Sequence, residues 1–498
     1  MYPQKDMYKE HAVQYIEKLY RKTLDPREMC PAKMKTEAEL PSGRSMYSTY
    51  LHMAIPSVLE SVLISMIGIA DTVMVSGVGT DAVAAVGLVT QPRFLMLCFF
   101  WALSTGITAV VSRRKGEGRQ QDANRSLRST LVITLLLSLL LMAIFMPLSV
   151  PLMKFAGAVE GETLDDANTY FRIITLALPF NALSMIICAA QRGEGNTRLT
   201  MAVNITSNLV NILFNYLLIK GIGPFPELKV TGAAIATAIG LFVGFVLSVI
   251  SLFNGKRKKR FLQVSLRDRQ WLEKSSAMDV INVAKGAMVE QVAMRIGFFA
   301  YAKIVAELGT DAFAAHQIDM QFLNLSFSFA DGLGIAGTAL VGQMLGARRK
   351  DLAYIYGSLA QRLSFAISIL IAALCVFGRA FLVDLFINEE NAGPLVRTMA
   401  ENVMLIVAVF QPFQMLAVVA SGALRGAGDV KYTARVMLLT VTVIRPVVSI
   451  LAVVLLKKYA GTEAALCGAW LASLCDMTVR MVLMLRRYRN GKWQEIKV

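Results

Sequence analysis

The sequence predicts an all-α polytopic membrane protein with twelve transmembrane helices, arranged as two parallel repeats of six helices. Three observations lead to this fold class. Long apolar segments recur along the chain, basic and acidic connectors alternate between them, and the second half repeats motifs of the first.

The apolar segments show first in the composition. Of the 498 residues, 55% are hydrophobic and only 17% are charged, and the mean hydropathy is +0.53. A soluble chain usually carries about 25% charged residues. The apolar runs that begin at Met53, Ser129, Ile235 and Leu363 each approach the roughly 20 residues that cross a bilayer.

The net charge of +16 is concentrated in short connectors. Basic connectors begin near Arg113, Gly255, Ala347 and Arg486, whereas the connectors between them are neutral or acidic. This alternation is the positive-inside pattern of membrane proteins rather than a nucleic-acid-binding surface. It predicts a multi-pass plasma membrane protein without a nucleic-acid partner, with the basic connectors and both termini in the cytoplasm.

The predicted helices follow one another with short connectors. They span residues 47–76, 82–111, 124–150, 168–190, 198–220, 230–253, 278–307, 312–345, 353–378, 396–421, 433–457 and 463–487. The domains are then a cytoplasmic N-terminal extension (1–46), an N-lobe (47–254), a basic cytoplasmic linker (255–277), a C-lobe (278–487) and a cytoplasmic tail (488–498). The extension is either a tail or a short amphipathic helix at the inner surface, since apolar residues recur at helical spacing at Tyr8, Ala12, Tyr15, Ile16 and Leu19.

An internal repeat relates the two halves. The segment "GTDAVAAVGLVTQ" from Gly79 returns as "GTDAFAAHQIDMQ" from Gly309, and the same shift of 230 residues places Glu60 on Glu290. Further along, "RGEGN" from Arg192 returns as "RGAGD" 233 residues later. Because each copy contains an even number of helices, both copies enter the membrane from the same face. Parallel repeats of this kind build transporters whose substrate site lies between the halves.

Two carboxylates in helix 1 are the first candidate site. Glu60 and Asp71 are eleven residues apart, which is about three helical turns, so they share one face. Ionisable groups at membrane depth are unfavourable by a few kcal/mol and indicate function. We expect both acids to bind a coupling cation, H⁺ or Na⁺; the alternative is a charged helix cap or a structural pair.

Polar residues of helices 5 and 6 extend this candidate cation site. Asn204, Asn208, Asn211 and Asn215 form one stripe of helix 5, and Thr237 of helix 6 can join them. The amides can hydrogen-bond between helices or set the acidity of Asp71. The predicted cation-coupling set is Asp71, Glu60, Asn211, Asn215 and Thr237.

Four polar residues of the second half are candidates for binding substrate. They are Glu290 and Arg295 in helix 7, Asp331 in helix 8 and Gln414 in helix 10. Glu290 is either a substrate or proton site or a neutralised partner of Arg295. Five residues correspond to about 140° of helix rotation, so the two do not form a simple same-face pair.

The sequence contains no enzyme or metal motif. Its six cysteines are scattered, its three histidines form no HExxH, and it has no phosphate-binding loop. The GxGxxG at Gly332, Gly334 and Gly337 lies inside an apolar helix, which favours close helix packing over a dinucleotide site. We therefore expect no catalytic residues, no bound metal and no cofactor other than the transported H⁺ or Na⁺.

Four segments resemble the MATE family of multidrug and toxic compound extrusion transporters. They are "AIPSVLESVLISMIGIADTVMVSGVGTDAVAAVGLVTQ", "LGTDAFAAHQI", "GTALVGQMLGARRKDLA" and "GALRGAGD". The resemblance implies two six-helix lobes, alternating access, and efflux of bulky organic cations driven by inward H⁺ or Na⁺.

The resemblance also assigns individual residues. Asp71 fits the family's helix 1 aspartate and Asn211 the asparagine of its polar cluster, while the cluster's helix 5 aspartate falls at Asn215. A second branch of the family uses acids on helices 7 and 10. Glu290 lies about one turn from the first of these positions, and Gln414 occupies the second.

The favoured function is a monomeric secondary antiporter that exports small organic cations through the lipid bilayer. The runner-up is a flippase for lipid-linked precursors, which a strongly cationic central cavity would favour. A membrane scaffold or receptor without transport activity is the third possibility. The charged and amide residues within both sets of helices argue against it.

Overall fold

The computed structural model describes residues 25–34, 36–158, 160–253, 260–264, 271–385 and 394–496. All regular secondary structure in these ranges is helical. The N-terminal amphipathic helix suggested by the sequence, and residues 255–259 and 265–270 of the linker, lie outside the described residues.

The first half forms six long helices. Labelled α1 to α6, they are Gly43–Ser76, Thr80–Gly116, Gln120–Phe145, the bent pair Glu162–Leu176 and Leu178–Glu194, Thr197–Lys220, and Lys229–Phe253. A short helix, Ser149–Phe155, connects α3 to α4. The two parts of α4 meet at 48°, close to Pro179, whose ring cannot supply a backbone N–H to the helix.

The second half repeats this order. Helices α7 to α10 are Lys274–Ala306, Thr310–Gly346, Lys350–Phe377 and Pro394–Gly426. Helix α11 comprises Val430–Met437, a π-helical stretch Leu438–Ile444 and residues 445–460, and α12 comprises residues 462–489. Gly461 separates them with a non-helical backbone (φ 85°, ψ −177°).

The twelve predicted helices are confirmed, and most of their boundaries extend further than predicted, although α3 ends at Phe145 instead of residue 150. Helix α2 continues to Gly116 instead of residue 111, and α4 begins at Glu162 instead of residue 168. Apolarity marks only the membrane-embedded part of a helix, whereas polar residues continue it into water. Among the described residues, nine continuous helical stretches are long and apolar enough to cross a membrane, with α11 and α12 counted as one. Helix α7 is not one of them, because Glu290 and Arg295 lie in its middle.

The repeated segment "GTDA" marks the same turn in each half. Gly79 and Gly309 immediately precede α2 and α8 with φ values of 149° and 118°. Side chains other than hydrogen rarely permit this backbone conformation. Both halves therefore keep glycine at this turn, because the backbone conformation requires it.

The two halves contact each other closely at the end of the bundle that carries the basic connectors. A Cβ atom on Gly116 of α2 would overlap the backbone oxygen of Gln343, and one on Gly346 of α8 would overlap that of Arg113. Gly332 similarly packs against the backbone of Val58 in α1. This contact explains the GxGxxG of α8 as a packing motif.

The outer surface of the bundle is apolar. Leu136 and Leu140 of α3 and Leu370 of α9 are 60%, 56% and 71% exposed. In a membrane protein such side chains face lipid tails rather than water. This surface surrounds the bundle where the bilayer covers it.

The described part of the N-terminal extension lies on the second half of the chain. Thr36 donates to Asp351 at the start of α9 (2.7 Å), and Arg349 binds the same carboxylate (2.9 Å). The C-terminal tail lies beside it, with Trp493 fully buried and its indole N–H donated to the Tyr488 carbonyl (2.7 Å). Residues 25–34 and 36–42 thus precede α1 in sequence, and contacts from this segment reach the other half.

The glycine contact between α2 and α8 gives a first prediction. Gly116→Ala should destabilise the protein by about 1–3 kcal/mol, the usual effect of overpacking, and lower its apparent melting temperature in detergent by several degrees. Gly87→Ala in the same helix meets open space and serves as the control, with an unchanged or slightly raised value. Equal losses for both variants would contradict the close contact.

Candidate functional site

A central cavity of about 400 Å³ lies between the two halves of the bundle. It is lined by α2, α7, α8 and α10, together with single residues of α4 and α11. Its charged and aromatic lining residues are Trp101, Arg192, Glu290, Arg295, Phe327, Asp331 and Arg425. Three of the four residues predicted to bind substrate therefore share one cavity.

Glu60 is held by three donors within the N-lobe. Its buried carboxylate accepts hydrogen bonds from Arg192 (3.2 Å), Thr200 (2.9 Å) and Asn204 (2.6 Å). The charge is thus compensated by Arg192, which lines the cavity. Glu60 itself is not one of the residues that line the cavity.

Glu290 has the same arrangement in the C-lobe. Its buried carboxylate accepts from Arg425 (3.3 Å) and from Thr433 (3.1 Å). These residues are the repeat counterparts of Arg192 and Thr200, whereas the counterpart of Asn204 is Met437. The ion-pair partner of Glu290 is therefore Arg425, so the alternative that Arg295 neutralises Glu290 is wrong.

Asp331 lies between these two ion pairs. Its carboxylate is within electrostatic range of both Arg425 and Arg192 and makes no ion pair in the described part of the chain. The two ion pairs and Asp331 therefore form a row of alternating charges, Glu60, Arg192, Asp331, Arg425 and Glu290, of which all but Glu60 line the cavity. Asp331 is the central member of this row and faces the cavity.

Arg295 forms a second charged position on the cavity wall. Its guanidinium lies over the rings of Phe94 (4.3 Å) and Trp101 (5.4 Å). Cation–π contacts of this kind stabilise a charge that has no carboxylate partner. Asp331 and Arg295 are thus a negative and a positive side chain of the cavity wall that make no ion pair within the described residues.

Asp71 forms a separate polar cluster with α5 and α6. Asn215 donates to its carboxylate (2.8 Å). The Asn211 amide nitrogen, oriented toward Asp71, donates to both oxygens (3.0 and 3.1 Å), and its oxygen faces the Thr237 hydroxyl (3.2 Å). The structure therefore places Asp71, Asn211, Asn215 and Thr237 together, with Glu60 elsewhere along α1.

The stripe of asparagines in α5 binds both acids of α1. Asn204 contacts Glu60 and Asn215 contacts Asp71, each across 144 residues of sequence. The constant separation means that α1 and α5 run parallel and in register over eleven residues. Asn208 instead donates to the Asn204 carbonyl of its own helix (2.8 Å).

Gln414 is placed apart from the other substrate candidates. It is buried on α10, one turn from Val418, which lines the cavity. Its side chain is not part of the cavity wall. Substrate contact by Gln414 stays a prediction.

The sequence reasoning did not identify several charged residues. Arg192 and Arg425 enter the sequence analysis only as parts of the repeat. Arginine at matching positions of both halves was nevertheless a sufficient indication of a paired buried charge. A buried network in the C-lobe was also missed: Asp476 binds Arg445 (2.7 Å) and Arg480 (2.9 Å). These charges interrupt the apolar runs of α11 and α12, which could have revealed them.

Two known proteins are similar to the chain over most of its length. A probable multidrug resistance protein NorM of Thermotoga maritima is 28% identical over 447 residues, covering 89% of this chain and 92% of that protein. An uncharacterized transporter YisQ of Bacillus subtilis is 25% identical and covers 88% and 93%.

Solved structures share the fold. A MOP superfamily transporter from Pyrococcus furiosus superposes with a TM-score of 0.81 at 20% identity, covering 91% of this chain and 97% of that one. The Vibrio cholerae MATE transporter VcmN superposes with a TM-score of 0.80 at 18% identity, covering 91% and 99%.

Two like halves of six membrane helices, with buried charges around a shared central cavity, define a membrane transporter and not an enzyme. The family model MatE matches residues 56–217 and 287–451, once in each half. The chain belongs to the MatE family.

The two glutamate–arginine pairs give a second prediction. Arg425→Met should destabilise the protein by on the order of 3 kcal/mol, because it leaves Glu290 buried without its counter-charge. Arg192→Met should have a smaller effect, since Glu60 keeps both Thr200 and Asn204. Apparent melting temperatures in detergent measure both losses.

The double variant Glu290→Gln/Arg425→Met is the control for this prediction. It removes both charges and should recover most of the stability lost in Arg425→Met. A double variant as unstable as Arg425→Met would show that the arginine acts through its packing and not through the ion pair.

Proposed function

We propose that this MatE-family transporter is a multidrug efflux antiporter of the plasma membrane. It exports small organic cations through the central cavity and exchanges them for H⁺ or Na⁺ bound at Asp71. This proposal depends mainly on the Asp71 cluster, in which the amides of Asn215 and Asn211 hold a single carboxylate within the membrane-spanning bundle, and Asn211 in turn accepts from the Thr237 hydroxyl.

The surroundings of Asp71 support a coupling role, because its hydrogen-bond donors are amides and Arg93, the cation within electrostatic range, makes no ion pair with it among the described residues. An ionised carboxylate in this position attracts a cation, whereas Glu60 and Glu290 are already compensated by arginine. Asn211 and Asn215 contribute amide groups that hydrogen-bond to the ionised carboxylate. Amide and carboxylate oxygens are also suitable ligands for a hard cation.

The cation and the substrate occupy different places on connected helices. Asp71 does not line the cavity, but the same helix carries Glu60, whose partner Arg192 does. A shift of α1 or α5 on cation binding therefore alters the position of Arg192. Arg192 in turn changes the field at Asp331, the acid that faces the substrate. Cation binding at Asp71 and substrate binding in the cavity therefore favour different conformations, so each weakens the other.

The cavity suits an organic cation. Asp331 supplies a negative charge, and Trp101 and Phe327 supply aromatic surface beside it. Aromatic rings and a carboxylate together bind a lipophilic cation by cation–π and ionic contacts. The names of the Thermotoga relative and of other similar proteins, multidrug resistance protein NorM, agree with such a substrate.

Orientation follows from the connectors. We place the basic connectors and both termini in the cytoplasm by the positive-inside rule, so the closed α2–α8 contact lies on the cytoplasmic side of the cavity. Both lobes and the whole cavity belong to one chain, so a monomer suffices for transport. Alternating access then requires Gly116 and Gly346 to separate.

One observation favours a flippase for lipid-linked precursors as the second candidate. Three arginines, Arg192, Arg295 and Arg425, line the cavity and could hold a phosphate. Two of them are neutralised by Glu60 and Glu290, and the negative charge of Asp331 on the same wall equals the charge of the third. This balance of charges supports the drug antiporter over the flippase.

The test is dye efflux from proteoliposomes under a pH gradient or a Na⁺ gradient imposed separately. Wild-type protein should export an ethidium-like cation under one gradient, and Asp71→Asn should lose at least 90% of that rate because its side chain cannot ionise. The exposed acid Asp81 provides the control, and Asp81→Asn should retain the wild-type rate.

Either result decides between the two functions. Efflux that depends on one gradient and on Asp71 establishes the antiporter and identifies its ion. A correctly folded protein that moves dye under neither gradient contradicts drug efflux, and labelled lipid-linked cargo is then the next substrate to assay.

A further inference from the structure

The C-lobe differs from the N-lobe at the position of the Asp71 cluster. The repeat places Tyr301 of α7 at the position of Asp71, and Trp470 of α12 at that of Thr237. These rings pack with His316 of α8, at centroid distances of 5.5 and 5.3 Å. The counterpart cluster of the C-lobe is thus aromatic and has no acid on α7.

An acid reaches this region from the neighbouring helix instead. Asp319 of α8 lies within electrostatic range of Tyr301 and one helical turn from His316. Its counterpart in the N-lobe is Val89. Asp319 is therefore specific to the C-lobe and is not a product of the repeat.

Asp319 is fully buried and unpartnered. Its exposure is 0%, and neither carboxylate oxygen has a hydrogen-bond partner among the described residues. An ionised carboxylate in such a place is strongly unfavourable. The side chain is consequently a neutral acid carrying a proton in this conformation.

The groups that face Asp319 favour a proton over a metal ion. Asp319 is within electrostatic range of Tyr301 on α7, Cys375 on α9 and Cys467 on α12. His316 lies one turn before it on α8 and is within range of Arg445, and Glu463 of α12 acts on Cys467. Hard metal cations require several oxygen ligands, whereas these neighbours are mainly rings and thiols. In the described part of the chain, no three acidic, His or Cys side chains form a metal-binding group.

A nearby positive charge makes the ionised form attainable. Arg445 and Arg480 share the single carboxylate of Asp476, which leaves one net positive charge in the C-lobe core. The Arg445 guanidinium lies 5.6 Å from the centre of the Tyr301 ring, on which Asp319 also acts. Burial is the only influence recorded on Asp319 in this conformation, so release of its proton requires a movement that brings the Arg445 guanidinium toward the carboxylate.

Helix α7 connects this acid to the substrate. Tyr301 follows Glu290 by eleven residues, as Asp71 follows Glu60 in α1, and both Glu290 and Arg295 line the cavity. A change at Asp319 is thus transmitted to the cavity through α7. In the N-lobe, α1 has the same relation to Asp71.

We propose that Asp319 is a second coupling site, which binds one proton in the C-lobe and releases it when substrate binds. The inference rests on the proposed antiport function and adds a site to it. The proton forms the O–H bond of the Asp319 carboxyl group and is given up to water during each transport cycle. Antiport then involves one ion at Asp71 and one proton at Asp319.

Proton counting tests this site directly. Purified protein in weakly buffered detergent is titrated with tetraphenylphosphonium, and released protons are measured with a pH indicator dye. Asp319→Asn should release one proton fewer per bound cation than wild type. The exposed acid Asp311 of the same helix is the control, and Asp311→Asn, Tyr301→Phe and His316→Gln should keep the wild-type count.

The outcomes separate the two proposals. Wild-type protein that binds no cation contradicts the proposed function, whereas normal binding with an unchanged count in Asp319→Asn overturns only the second site. If Asp319→Asn does not fold, the Asp71→Asn variant provides the measurement. Its infrared band from a protonated carboxyl group should decrease when cation binds, and a band that stays constant overturns the inference.

Discussion

The requirement that a charge inside the membrane be compensated organises this molecule. Glu60 and Glu290 are each held by one arginine and one threonine, in matching positions of the two halves. These pairs place Arg192 and Arg425 on opposite sides of one cavity. The positions of α1 relative to α4 and α5, and of α7 relative to α10 and α11, depend on them. Because the two pairs are symmetric, the cavity wall has matching arginines on its two sides. Asp331, the single acid between them, interrupts this symmetry.

The two halves share a backbone design but differ in their chemistry. Glycine before α2 and α8, and glycine where these helices meet, occur in both halves because the backbone geometry requires them. The groups that interact with ions differ. The N-lobe uses asparagines and a threonine around Asp71, and the C-lobe uses aromatic rings and an arginine-rich network. Duplication supplied the architecture, and later substitution gave each lobe its own electrostatics.

The sequence was sufficient for the fold and for part of the site. Helix number and parallel repeats follow from apolar runs, connector charge and the shifts of 230 and 233 residues. Spacing within α5 placed Asn211 and Asn215 on one polar stripe, and the resemblance to the MATE family assigned both positions to the cluster of Asp71. Partners on distant helices could not be obtained this way, because periodicity describes one helix at a time. Glu290 was accordingly compared with Arg295 of its own helix, whereas its partner is Arg425.

The segment formed by residues 25–34 and 36–42 has a consequence for how far each end of the transporter can open. It leaves α1 of the N-lobe and is fastened to α9 of the C-lobe by Thr36 and Asp351. The linker between α6 and α7 joins the lobes at the same end, so two stretches of chain cross between them there. Within the described residues, no segment crosses between the lobes at the opposite end. The two lobes are therefore tethered to each other at the end that carries the basic connectors. This tether limits the separation of the lobes at that end more than at the opposite end.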